Sequence, residues 1–195
     1  LSSVGADKES GTGPVAGLHE FEKKLNAIQG LNVVHLRAGY FMENTLGQVG
    51  AIKNLGKAAG PVRGDLKLPM IATRDIGEAA ADALLKLDFK GTQTRELLGQ
   101  RDLSYNEVTA IIGKAIDHTD LQYAHLSNEQ ARPMLVQMGM SPSSADLILE
   151  MSGALNSGYM KVLEPRSARN TTPTSYETFV AEEFVPLFER QSAAA

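Results

Sequence analysis

The chain has 195 residues, 43% of them hydrophobic and 22% charged, with a formal net charge of −4 and no cysteine. This is enough for one domain with a sizeable core, or a core plus a small lobe. The balance of charge gives no basic surface for nucleic acid, no apolar run approaches the roughly 18 residues of a membrane span, and the lack of cysteine excludes disulfides and thiolate chemistry and fits a reducing cytoplasm.

The opening "LSSVGA" has neither a charged n-region nor an apolar h-region, so it does not read as a signal peptide. It reads as the end of a buried strand with its outgoing turn, which suggests the C-terminal piece of a longer protein. Residues 11–16, "GTGPVA", then spell G-x-G-x-x-A, the minimal dinucleotide-binding pattern. A pyrophosphate cradle needs a strand running into the glycines, free backbone N–H groups and an acidic residue about 20 positions on. Here the approach is the charged "GADKES", Pro14 removes a donor, and the next strand ends in Arg37 rather than Asp or Glu, a weaker objection because an Arg can favour a 2′-phosphate. The stretch is expected to be a flexible loop entering a helix.

That helix is predicted over residues 14–29, with Leu18, Phe21, Leu25 and Ile28 as its apolar stripe. His19 and Lys23 lie four apart on one face, and Glu22 is three from His19. Spacing alone favours solvated charges on an amphipathic helix; an acid/base unit working near neutral pH is the alternative. "LNVVHLRAG" is a buried strand bounded by glycines. The glycine-rich residues 40–68 carry no sustained period and read as short helical turns and loop, a candidate cover. "LPMIAT" is a short strand, and Thr73 or Asp75 is expected to cap the helix "DIGEAAADALLKL". "TRELLG" (94–99) is the next strand. "SYNEVTAIIGKAI" opens with a capping box from Ser104 to Glu107, "LQYAHL" is strand-like, and "SNEQARPMLVQMG" and "SPSSADLILEMSGAL" are capped helices. A second capping box, Thr174 to Glu177, is expected to open a last helix burying Phe179, Phe184 and Phe188 before the terminal "AAA".

In their order and spacing, "LSSVGAD", "GTGPVAGLHEFEKKL", "NVVHLRAGYFMEN", "IATRDIGEAAADALL", "LLGQRDLSYNEVTAIIGKAI" and "TTPTSYETFVAEEF" resemble the NmrA-like family of atypical short-chain dehydrogenases/reductases. The resemblance implies an α/β fold: the C-terminal part of a Rossmann-type parallel sheet plus a mostly helical substrate lobe. Residues 1–45 would be the remnant of the Rossmann-type domain and 46–195 the lobe, with 94–99 returning a strand to the sheet. On this alignment "LSS" ends the family's fifth strand, about four βα units and the phosphate-binding glycine motif lie upstream, and residues 11–17 fall at the nicotinamide end of the site. Ser2 or Ser3 falls near the family's Ser, and His19 and Lys23 fall where a catalytic Tyr and Lys would stand, so His replaces Tyr and the usual mechanism is put in doubt. Gly39, Tyr40 and Phe41 match the turn after strand six, as cofactor contacts, and Asn44 is placed at the substrate.

The resemblance implies an NAD(P)H-dependent reductase of a quinone-, azo- or carbonyl-type small molecule in the full-length parent, with NADP or NAD as cofactor. The alternative is a non-catalytic dinucleotide-sensing regulator. The 195-residue chain is expected to bind no cofactor itself and no metal, and to self-associate through the exposed sheet edge of strand five.

Overall fold

The computed structural model describes residues 1–193; the last alanines, 194–195, lie outside the described residues. In chain order the first elements are β1 (Ser2–Ser3), α1 (Ala16–Asn26), β2 (Val33–Ala38), β3 (Tyr40–Phe41), α2 (Gln48–Leu55), β4 (Ala58–Gly60), β5 (Leu68–Ile71) and α3 (Thr73–Lys86). They are followed by β6 (Thr92–Leu97), β7 (Asp102–Leu103), α4 (Tyr105–Ala115), β8 (Tyr123–His125), α5 (Asn128–Gln137), α6 (Pro142–Asn156), α7 (Tyr176–Phe179) and α8 (Val185–Ala193). The fold is mixed α/β. One sheet is parallel, in the order β1-β2-β6, with Ser2 beside Arg37 and Val33 beside Thr92. A second sheet, β3-β5-β7, carries β5 parallel to β3 and antiparallel to β7.

Gly39 is the point where the chain leaves the first sheet and joins the second. Its N–H still bonds Leu97 of β6, while the next residue, Tyr40, already pairs with Met70 of β5. A Cβ on Gly39 would stand 2.3 Å from the Pro69 carbonyl oxygen, so only glycine lets β5 pass this close. The two sheets diverge from here, and the main core fills the space beyond, with Met42, Met70, Ile112, Tyr176 and Phe184 at its centre.

Several expectations are corrected by contacts distant in sequence. In α1 the inward position belongs to Glu22, 5% exposed, whereas Phe21 and Ile28 of the expected stripe are 50% and 54% exposed. Glu22 wins because β1 and β2 present a hydroxyl and a guanidinium to it. The N-terminus of α3 is not capped by Thr73 or Asp75: Glu43 accepts from the Thr73 N–H at 2.9 Å. Asp75 instead accepts from the backbone and hydroxyl of Thr174, at 3.0 and 2.5 Å. With Thr174 so engaged, Ser175 is the N-cap of α7, and Glu177 pairs with Arg101. Residues 40–68, expected as short helical turns and loop, do hold a 3-10 turn (Met42–Gly47) and α2, but also the strands β3 and β4, the latter paired with β8. The Ser104–Glu107 capping box is present with both hydrogen bonds.

Candidate functional site

The first cavity opens at the C-terminal ends of the parallel strands β1 and β2, where open α/β sheets bind ligands. It measures about 190 Å³ and is lined by Ser3, Gly39, Tyr40, Phe41 and Asn44, closed on the far side by Leu68 and Pro69 of β5 and by Met151, Leu155 and Met160. Five of the expected site residues are thereby brought to one wall. Ser3 donates its hydroxyl hydrogen to the Val4 carbonyl at 2.9 Å.

A second, adjoining cavity of about 260 Å³ shares Tyr40, Asn44 and Met151 with the first. Its walls are largely apolar, from Tyr105, Tyr123, Met134, Leu135, Met138 and Ile148. The Tyr105 ring is held edge-on by Tyr40 (centroids 6.1 Å apart) and stacked on Tyr123 (4.7 Å). The Tyr40 and Tyr105 hydroxyls are 2.9 Å apart, and the Tyr123 hydroxyl donates to the Val62 carbonyl at 2.7 Å. Burial raises all three phenols above their ordinary range, so they stay neutral hydrogen-bond donors. Tyr105 and Tyr123 were not among the expected residues. The available signal was Tyr105 as the first residue of a capped helix, since the box at Ser104 fixes where that ring begins.

The remaining expected residues lie elsewhere. Ser2 donates to Glu22 at 2.5 Å, and Arg37 holds the same carboxylate in a fork, Nε to Oε1 at 2.9 Å and Nη2 to Oε2 at 2.6 Å. Burial pushes the Glu22 carboxyl up, but the bonds from Arg37 and Ser2 outweigh it and leave the group below its usual range. Arg37 is thus engaged within the protein rather than held for a phosphate. His19 points its Nδ1 at the Ala6 carbonyl, 3.0 Å away. A carbonyl only accepts, so Nδ1 donates the hydrogen of this bond. Lys23 does not meet His19; it is exposed and pairs with Glu20 at 3.3 Å.

The glycine loop is no phosphate cradle. A Cβ on Gly13 would lie 2.0 Å from the Leu147 carbonyl oxygen of α6, so the loop is pressed against a helix backbone where a ligand would have to sit. The residues expected to border a nicotinamide, Ser3, Gly39, Tyr40 and Phe41, line one cavity, whereas the packed backbone of the glycine loop leaves no room for a pyrophosphate. Among the described residues no helix is long and apolar enough to cross a membrane, and no group of three or more His, Cys, Asp or Glu could hold a metal.

The profile of the NmrA-like family matches residues 3–185. The chain belongs to the NmrA-like family. Among NmrA-like and related proteins, festuclavine dehydrogenase of Aspergillus fumigatus is 29% identical over 168 residues, 82% of this chain and 56% of that protein. The NAD(P)H azoreductase of Xenophilus azovorans is 32% identical over 122 residues, 63% of this chain and 42% of that protein. The chain therefore spans about half the length of the relatives it matches. An NADPH-dependent quinone oxidoreductase from Escherichia coli, solved with NADPH, superposes with a TM-score of 0.76 at 23% identity, over 94% of this chain and 64% of that one. NmrA, a negative transcriptional regulator solved with NAD, superposes with a TM-score of 0.64 at 16% identity, over 91% of this chain and 60% of that one. At these identities the structural likeness establishes the fold: this NmrA-like chain shares the Rossmann-type architecture.

Proposed function

We propose that this NmrA-like chain forms the acceptor side of an NAD(P)H-dependent reductase acting on a flat quinone-, azo- or carbonyl-type small molecule. The observation that carries the reading is the pair of adjoining cavities that share Tyr40, Asn44 and Met151 at the ends of β1 and β2. Their apolar, aromatic and thioether walls suit a conjugated ring system and exclude water from it. When bound, NAD(P)H supplies the hydride. Ser3, Gly39, Tyr40 and Phe41 would border the nicotinamide, and Asn44 would hold a polar group of the acceptor. His19, whose Nδ1 is held by the Ala6 carbonyl, is the candidate to exchange a proton with solvent through its other ring nitrogen; Lys23 would contribute nothing to that step from its place beside Glu20.

The test has two arms. In a protein of the relatives' length that carries this chain behind a glycine-rich phosphate turn, NAD(P)H oxidation should be accelerated by menadione or an azo dye. Absence of turnover with every such acceptor would count against the reading. The 195-residue chain alone is expected to bind NADPH no tighter than about 1 mM in calorimetry, because it offers no receptor for the pyrophosphate. Tight binding would refute that account of the glycine loop.

The outward position of Lys23 favours a second reading, a dinucleotide-sensing regulator without chemistry. It predicts cofactor binding without turnover in the longer protein, and it falls if His19→Ala abolishes a measured turnover. β1 is an outer strand of its sheet among the described residues. We therefore propose that this chain forms homo-oligomers through that edge; a monodisperse monomer in light scattering would contradict it.

A further inference from the structure

The hydroxyls of Tyr40 and Tyr105 share one hydrogen bond of 2.9 Å, and burial decides which of them donates. Tyr105 is 4% exposed, and among the described residues its hydroxyl has Tyr40 as its hydrogen-bond partner. If Tyr40 donated, the Tyr105 hydrogen would be buried without an acceptor, which is costly. If Tyr105 donates, its hydrogen is satisfied; Asn44, which also hydrogen-bonds Tyr40, then donates its amide N–H to the same oxygen, and the Tyr40 hydrogen is left over. The third phenol of the cluster, Tyr123, has already spent its hydrogen on the Val62 carbonyl. Tyr40 lines both cavities, so in this arrangement, among the described residues, the phenol of the cluster that keeps its hydrogen belongs to the wall between them.

From this arrangement we infer that Tyr40 donates a hydrogen bond to the oxygen or nitrogen of the bound acceptor, and that Tyr105 is the positioning residue that directs it. The inference rests on the reductase reading of the same cavities and names the group that would recognise the acceptor. When a hydride adds to a quinone, carbonyl or azo acceptor, its electron pair leaves negative charge on the oxygen or the other nitrogen. A donor already aimed at that atom binds the charged product of the step more strongly than the neutral acceptor. The phenol keeps its proton throughout; the proton that completes the reduction comes from solvent water. Burial, which holds both phenols neutral, is consistent with donation rather than proton transfer.

The experiment needs no cofactor. Binding of menadione and of 2-methylnaphthalene, its counterpart without oxygens, is measured by equilibrium dialysis on the 195-residue chain and on Y40F and Y105F. The chain has no cysteine to form a thiol adduct with the quinone, so dialysis reads reversible binding. The wild type should prefer the quinone by about tenfold, Y40F should lose that preference with its hydrocarbon affinity unchanged, and Y105F should lose about threefold of it. The hydrocarbon arm separates hydrogen bonding from packing. If the quinone-to-hydrocarbon ratio is the same in Y40F as in the wild type, the inference is overturned, while the assignment of the cavities to flat aromatic acceptors stands. If neither probe binds the wild type, both fall together.

Discussion

Gly13→Ala is expected to lower the stability of the chain by about 3–5 kcal/mol. Two costs add. Gly13 has φ of +58°, a left-handed backbone that an L side chain strains to adopt. The new Cβ would also stand 2.0 Å from the Leu147 carbonyl oxygen and 3.1 Å from the Met151 Cβ. The neighbour is helix backbone, which cannot turn aside as a side chain would, so α6 must move off the loop. Gly11→Ala supplies the contrast. Its φ of +77° carries the same strain, but its Cβ would meet only the edge of the Tyr159 ring, at 3.4 Å. That change should cost about 1 kcal/mol. The chain has no tryptophan, so urea unfolding followed by circular dichroism is the appropriate measurement. If the two variants prove equally stable, close packing of the loop on α6 is not the reason for Gly13. Since α6 also supplies Met151 and Leu155 to the cavity wall, Gly13→Ala should loosen binding there as well.

Glu22→Gln is expected to cost about 3 kcal/mol near neutral pH. The carboxylate side chain is 7% exposed and that of Arg37 13%, so removing the negative charge strands a guanidinium with little water to replace it. Because the folded-state carboxyl lies below its ordinary 4.5, its contribution is fully present above that value. It is lost as the pH falls through the lower folded-state value. The stability gap between wild type and Glu22→Gln should therefore be widest near neutral pH and shrink on acidification. A gap of constant size down to strongly acidic pH would rule out the ion pair as its source. Lys23→Ala, one position along, should change stability by no more than about 0.5 kcal/mol, since the Lys23 and Glu20 side chains are 63% and 50% exposed.

These neighbours show where the sequence is readable. Helix α1 was legible from its apolar spacing and from Pro14 ahead of it, but its inward face was not. Leu18, Phe21, Leu25 and Ile28 share a stripe by period alone, yet the helix turns Glu22 inward because Ser2 and Arg37, on two separate strands, complete its hydrogen bonds. The same split governs the caps. The Ser104–Glu107 box closes within one turn, and the local letters suffice to find it. The box expected at Thr174–Glu177 failed because Asp75, far away in sequence, takes Thr174, which leaves Ser175 as the cap.

At the candidate site, Ser3, Gly39, Tyr40, Phe41 and Asn44 were named from a resemblance in sequence, and they do share a cavity wall. Tyr105 and Tyr123 were missed, because aromatic residues separated by whole elements carry no mark of meeting Tyr40. By itself the sequence determined what depends on neighbours along the chain: most helices, the longer strands, the glycine turns and the order of motifs that marks the family. Only the tertiary structure decided which polar groups face inward, why Gly13 is a glycine and which phenols meet. Those depend on which surfaces meet once the sheets diverge at Gly39, and burial then attaches a high cost to any donor or charge left without a partner.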